Sequence, residues 1–129
     1  MTDKVLLKAE HVKKYFTDSA GMFKKINKKI VDDVSLEIHE GETVGLVGES
    51  GCGKSTLGRM LIHIIPPTEG KIYFNAEELT DEAYDRYYTE MQMIFQDPLS
   101  ALNPRMTVFD IIAEPLRVCH ICEEKDIES

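Results

Sequence analysis

Apolar and polar positions change period along this 129-residue chain, and each change predicts an element. Near the start, KVLLKAEHVKKYF and KKIVDDVSLEIHEGE show the mixed alternation of short strands. Between them TDSAGMFKKINKK (17–29) is too polar, and too rich in Lys, Gly, Ser and Asn, for helix or strand. The pattern therefore predicts a strand pair joined by a long loop. ETVGLVG (42–48) is a compact apolar run of the kind that forms a strand covered on both faces, and it leads directly into a glycine-rich stretch. Leu57, Met60, Leu61, Ile64 and Ile65 then follow the i, i+3, i+4, i+7, i+8 spacing of one helical face, which Pro66 and Pro67 bring to an end. PPTEG reads as a turn and KIYFN as a strand. TDEAYDRYYTE reads as a helix capped by Thr80 or Asp81, with Tyr84, Tyr87 and Tyr88 on one face as core packing. MQMIF (91–95) looks like another buried strand, QDPLSALNPRM like a loop, and TVFDIIAEPLRV begins a helix with Thr107 as its cap. That order implies an α/β fold with a parallel layer, preceded by an antiparallel pair.

Composition narrows the class of partner more than the fold. The formal net charge is −8, and the acidity is concentrated late: residues 76–129 carry four basic against thirteen acidic side chains. Such a surface repels phosphate backbones, which argues against nucleic acid as a partner. No run approaches the roughly 20 apolar residues of a membrane span, and MTDKVLLKAEH lacks the apolar core of a signal peptide. Cys52, Cys119 and Cys122 make no disulfide framework and suit a reducing compartment.

The candidate chemistry lies in GESGCGKST (48–56). Gly48, Gly53, Lys54 and Ser55 satisfy G-x-x-x-x-G-K-[ST] between a predicted strand and a predicted helix, the context that motif requires. Glycines at 48, 51 and 53 permit backbone angles closed to other residues and let consecutive N–H groups face phosphate oxygens. The helix N-terminus adds its positive dipole end. Lys54 reaches the β and γ phosphates, and the Ser55 hydroxyl is placed for Mg²⁺. Backbone dipoles and one lysine hold the anion, so an acidic chain can still bind phosphate.

These residues carry a resemblance. GETVGLVGESGCGKSTLGRMLIHIIPPTEGKIYF, followed by MQMIFQDPLSALNPRMTVFDIIAEPLRV, resembles the nucleotide-binding subunits of ATP-binding cassette importers, above all the oligopeptide and dipeptide permease group. The similarity runs from LLKAEHVKKYF to about Val118, and the insertion TDSAGMFKKINKK is also similar to that group. It implies a P-loop NTPase core of partial parallel sheet and helices (41–96), an antiparallel β subdomain before it (1–40), and a glutamine loop with the start of a helical subdomain after it (97–129). The ligands implied are ATP and Mg²⁺. Tyr15 matches the aromatic that stacks on adenine, with Phe16 competing for that role. Gly48, Ser50, Gly51, Cys52, Gly53, Lys54, Ser55 and Thr56 surround the phosphates, and Ser55 and Gln96 meet the metal. Lys54 and Gln96 are the residues implied for catalysis, because the glutamine of FQDP touches Mg²⁺ and the attacking water in such proteins. The partners implied are a second ATP-binding subunit, like or unlike, transmembrane permease subunits and, indirectly, an extracytoplasmic peptide-binding protein. The place implied is the cytoplasmic face of the plasma membrane. Peptide is the implied cargo, with nickel or another cargo left open.

The sequence also departs from that family. LSGGQ, an apolar strand ending in DE, and a later switch histidine do not occur in it. MQMIFQD mimics the apolar strand, but Gln92 and Gln96 interrupt it, so Asp97 reads as part of the glutamine loop rather than as a metal-binding acid. NAEEL stands where a glycine turn is common, and TDEAYDRYYTE is acidic where the family is often basic. The chain reads as the N-terminal half or less of a subunit, binding nucleotide but hydrolysing little by itself. A non-catalytic nucleotide-binding or interaction fragment is the alternative. A P-loop kinase or GTPase would need an acceptor site or N-K-x-D, and neither occurs.

The remaining clusters read as ordinary structure. Cys119 and Cys122, with His120 between them, form one C-x-x-C where zinc needs four ligands. Cys52 is a small filler within the phosphate loop. Lys24, Lys25, Lys28 and Lys29 read as a solvated loop, with lipid headgroups or a permease as the sharper alternative.

Overall fold

A computed structural model of the chain describes residues 3–19 and 25–127. The chain divides into two units, Met1–Met91 and Gln92–Ser129.

The first unit is built on an antiparallel sheet. Strands β1 (Val5–Ser19), β2 (Lys25–His39), β3 (Glu69–Phe74) and β4 (Glu77–Glu78) stand in the order β2-β1-β3-β4. The mixed alternation of the first two strands has a physical cause. Leu7 and Ala9 face the core at odd positions of β1, yet Val12 does so at an even one. The register slips between Ala9 and Val12, and His11 takes a left-handed φ of 48° there. On β2, Asp33 with φ 58° does the same between Val31 and Val34. The two bulges lie side by side, and His11 Nδ1 meets Asp33 Oδ1 at 2.9 Å. An extra residue in each strand flips the side-chain phase, so both keep their apolar residues on one face while the strands bend.

Beyond the bulges β1 and β2 continue as a two-stranded ribbon, with Tyr15 opposite Lys29, Phe16 opposite Lys28 and Ser19 opposite Lys25. The long loop predicted over 17–29 is thus mostly strand. A ribbon satisfies its backbone by cross-strand bonds, which do not depend on side-chain polarity, so it tolerates the lysines and polar residues that argued for a loop. Lys24, predicted within a basic cluster, lies outside the described residues.

Helix α1 (Lys54–Leu61) covers the core face through Leu57 and Met60, which pack with Val12, Val31, Ile72 and Phe74. It is shorter than its periodicity suggests. His63, with φ 59°, reverses the chain: its N–H donates to the Met60 carbonyl at 3.0 Å, and that of Ile64 donates to Arg59 at 2.9 Å. This pair of bonds is a Schellman ending with histidine in the usual glycine place. Ile64, predicted on the buried face, is therefore 47% exposed, whereas Ile65 packs on the core. Helix α2 (Asp81–Tyr87) starts where Thr80 Oγ1 accepts the Ala83 N–H at 3.2 Å, and it packs Tyr84 and Tyr87 on the core, whereas Tyr88, predicted on the same face, is the C-cap residue and is not part of that cluster. The turn in NAEEL is made without glycine, by Asn75 and Ala76 at φ 49° and 66°.

Two predicted strands do not form. Neither 42–48 nor 91–95 has a ladder partner among the described residues, and the sheet present is antiparallel throughout. Val47 is 94% exposed and Ile94 is 95% exposed. A strand is defined by its neighbours, and an apolar run without them forms no ladder.

In the second unit, α3 (Pro98–Ala101) interrupts the predicted loop, because the Asp97 carboxylate accepts the Leu99 N–H at 3.2 Å and Pro98 suits a first helical position. Helix α4 (Val108–Val118) begins at the predicted Thr107 with a reciprocal box: Thr107 Oγ1 accepts from the Asp110 N–H at 3.1 Å, and Asp110 Oδ2 accepts from the Thr107 N–H at 3.4 Å. Helix α5 (Glu124–Ile127) follows.

Candidate functional site

The glycine-rich loop stands at the N-terminus of α1, and each glycine has its own reason to be there. Gly53 is the N-cap residue with φ 98°, and a Cβ on it would collide with the Ile30 carbonyl oxygen of β2. Gly51 has φ 80° and faces open space, so only its backbone angle calls for glycine. A Cβ on Gly48 would meet Cys52 Sγ at 2.8 Å. The loop turns by the Cys52 N–H donating to the Glu49 carbonyl at 3.3 Å.

The start of α1 is electrostatically open. No side chain caps it and its first turn carries no acid. The N–H groups of Lys54, Ser55 and Thr56 have no carbonyl one turn back to donate to, so the positive end of the helix dipole faces outward. The Lys54 ammonium folds onto the loop, donating to the carbonyls of Gly48 at 2.7 Å and Glu49 at 2.5 Å, with Cys52 Sγ at 3.5 Å. Residues Gly48–Cys52 and Ser55 are exposed. A cation held by neutral carbonyls beside unpaired N–H donors is a site for a polyanion, whose oxygens make stronger charge-assisted bonds than those carbonyls do.

Tyr15 stands on the ribbon beside this loop. Its cross-strand partner Lys29 precedes Ile30, the residue whose carbonyl lies against Gly53. The ring is half-buried, with Lys29 Nζ 5.7 Å from its centroid, and the Tyr15 N–H donates to Thr68 Oγ1 at 3.2 Å. Phe16, the competing aromatic, is exposed and has Lys14 Nζ 5.6 Å from its centroid. The structure thus brings Tyr15, Gly48, Ser50, Gly51, Cys52, Gly53, Lys54, Ser55 and Thr56 into the first unit. Gln96 belongs to the second, exposed just before the Asp97 cap. Thr68, whose hydroxyl accepts the Tyr15 N–H, is a neighbour of this candidate site that sequence reasoning missed, since PPTEG signals only a turn.

Other clusters offer less. Cys119 and Cys122 are free thiols, and no group of three or more His, Cys, Asp or Glu able to hold a metal occurs among the described residues. A groove over β1 and β3, lined by Val5, Lys8, Glu37 and Tyr73 among others, contains no residue of the glycine-rich loop. Its charges are satisfied locally, with Lys8 Nζ 2.9 Å from Glu10 and 3.1 Å from Glu37. The hydrogen bonds to those two carboxylates raise the Lys8 ammonium above the ordinary lysine value.

Comparison with known proteins bears on the whole of this arrangement. The family model described as "ABC transporter" matches residues 31–128. The chain is 47% identical over 129 residues to the oligopeptide transport ATP-binding protein OppF of Bacillus subtilis (strain 168), covering 97% of this chain and 40% of OppF. To OppF of Salmonella typhimurium it is 52% identical over 95 residues, covering 71% of this chain and 28% of that protein. Among solved structures, a post-hydrolysis dimer of the ATP-binding cassette MJ0796 bound to ADP and Pi superposes with a TM-score of 0.74 at 24% identity, over 95% of this chain and 52% of that one. The last likeness carries the α/β cassette fold, and nothing of the ligand.

Proposed function

The chain belongs to the ABC transporter family, and from that membership we propose that it is the nucleotide-holding portion of an ATP-binding subunit serving an oligopeptide-type importer. The relatives named for oligopeptide transport are spanned only to 40% of their length or less, so activity, cargo and partners belong to the proposal. One observation carries it: an open helix N-terminus and the Lys54 ammonium converge on one exposed loop, locked against β2 by a position that only glycine can fill.

Each residue has a task in this reading. The N–H groups of Lys54, Ser55 and Thr56 and the α1 dipole bind the β and γ phosphates of ATP, and Lys54 transfers its ammonium from the loop carbonyls to phosphate oxygen. Cys52 fills the turn, and Ser50 and Thr56 line it. Mg²⁺ is a hard cation that takes oxygen ligands. The exposed Ser55 hydroxyl on the first turn of α1 supplies one beside the phosphates, so the donor chemistry fits. Bound there, the ion would neutralise charge between the phosphates. Tyr15 offers a flat face to adenine. Gln96 would orient the attacking water from its place before α3.

In the whole subunit these groups would act with a second ATP-binding subunit and pass the change to transmembrane permease subunits, which receive peptide from an extracytoplasmic binding protein. The subunit would lie peripherally at the cytoplasmic face of the plasma membrane; no helix among the described residues is long and apolar enough to cross a membrane. The general-base carboxylate and signature sequence do not occur in these 129 residues, so this polypeptide alone binds ATP and turns it over slowly. The exposed Val47 and Ile94 favour a second reading, a nucleotide-binding piece whose role is to pair with another chain.

A titration with fluorescent ATP tests the assignment. Removing the ammonium with Lys54→Ala deletes a charge-assisted contact worth about 1.5–3 kcal/mol, which predicts affinity roughly 10- to 100-fold weaker. Wild-type affinity in Lys54→Ala would remove the basis of the nucleotide reading.

A further inference from the structure

The phosphate loop and Tyr15 sit on different elements, and a nucleotide can bridge them only if their separation is fixed. The ribbon carrying Tyr15 is held at both ends of α1. At the N-terminal end, the Ile30 carbonyl of the ribbon lies against Gly53. Past the C-terminal end, the chain returns through Pro66 and Pro67 to Thr68. There the Thr68 N–H donates to the Lys13 carbonyl at 2.8 Å, and Thr68 Oγ1 accepts the Tyr15 N–H at 3.2 Å. Lys14 Nζ adds a bond to the Pro66 carbonyl at 2.6 Å.

The bond from Tyr15 to a side chain has a reason. Strand β3 pairs with β1 as far as Glu69 opposite Lys13, and continuing that antiparallel register would bring residue 67 opposite Tyr15. Residue 67 is proline, which has no N–H to donate and does not extend a ladder. The ladder stops before Tyr15, and the Tyr15 N–H donates to the Thr68 hydroxyl instead of to a strand partner. A single residue thus grips β1 on both sides of Lys14, by its backbone at Lys13 and by its side chain at Tyr15.

We propose that Thr68 is a positioning residue for nucleotide binding, fixing the Tyr15 ring at the distance from the phosphate loop that an adenine nucleotide spans. The proposal rests on the nucleotide reading above. Thr68 touches neither phosphate nor base, and it acts through Tyr15 alone. It therefore contributes to recognition of the nucleoside end of the ligand and not to recognition of the phosphate chain.

The test measures two ligands on the intact 129-residue chain, ATP and inorganic tripolyphosphate, which has the phosphates without the nucleoside. Thr68→Val is close to isosteric and keeps the backbone bond to Lys13 while removing the acceptor. Loss of one neutral hydrogen bond predicts ATP affinity about three- to tenfold weaker, with tripolyphosphate affinity unchanged. Thr68→Ser restores ATP affinity, and on a Tyr15→Ala background Thr68→Val causes no further loss. Wild-type ATP affinity in Thr68→Val overturns the proposal. So does an equal loss for both ligands, whether or not the variant has unfolded, and so does a loss that adds to that of Tyr15→Ala. Lys54→Ala serves as the separate control. If it binds tripolyphosphate like wild type, the phosphate site itself falls and the Thr68 role with it; if it fails to bind while Thr68→Val is normal, only the Thr68 role falls.

Discussion

At the scale of single residues, the phosphate loop separates two demands that glycine can meet. Gly51 needs only a left-handed backbone, because nothing lies within 4 Å of where a Cβ would sit. Gly53 needs that backbone and also the absence of a side chain, because the Ile30 carbonyl occupies the space. Gly51→Ala should therefore cost about 1 kcal/mol of backbone strain, whereas Gly53→Ala should cost roughly 2–4 kcal/mol as the loop or β2 is pushed aside. Urea denaturation of the two variants checks the difference. Equal midpoints would mean that Gly53 is not wedged against β2. The loop was legible in the sequence because its chemistry is local: nine consecutive residues carry the motif and its context. Thr68 was not, because what it does depends on Tyr15, 53 positions earlier in the chain. His63 is a similar case. Its side chain is 8% exposed and its Nε2 lies 2.8 Å from Asp81, a contact that no spacing in the sequence announces.

At the scale of elements, caps were readable and lengths were not. Thr107 and Thr80 both cap the helices that their position before an apolar or aromatic pattern predicted. The length of α1 and the extent of the ribbon followed instead from the Schellman reversal at His63 and from pairing across the hairpin, which are contacts rather than patterns. The α4 box makes a prediction that belongs here. Thr107→Ala removes an N-cap and should lower stability by about 1 kcal/mol. The same box should make the helix sensitive to acid. The Thr107 hydroxyl, and then its backbone N–H, hold the Asp110 carboxyl below the ordinary aspartate value. A carboxyl depressed in the folded state contributes stability above its unfolded pKa and loses it as the pH falls through the folded one. Helical circular dichroism of the chain should therefore decline on acidification below the ordinary aspartate range. Asp110→Asn should start lower and lack that part of the titration. If the wild-type and Asp110→Asn curves run parallel, the box is not the acid-sensitive element.

At the scale of the whole molecule, two forces oppose each other. The runs 42–48 and 91–95 carry the apolar composition of buried strands, yet Val47 and Ile94 are almost wholly exposed and neither run is paired among the described residues. Unpaired apolar backbone of this kind is a template for association with another chain. Against it stands a formal net charge of −8, which makes copies repel one another. The range of that repulsion is set by salt, about 30 Å at 0.01 M and 8 Å at 0.15 M, whereas an apolar contact is not screened. The isolated chain should accordingly be monomeric at low ionic strength and associate as salt rises, the reverse of an assembly held by ion pairs. Sedimentation velocity over a salt series reads this directly. Val47→Lys and Ile94→Lys, placed where the wild-type side chains bury almost nothing, should shift the association to higher concentration while leaving the unfolding free energy measured in urea within about 0.5 kcal/mol of wild type. Association that weakens with salt, or that survives both lysines, would place the contact elsewhere on the molecule.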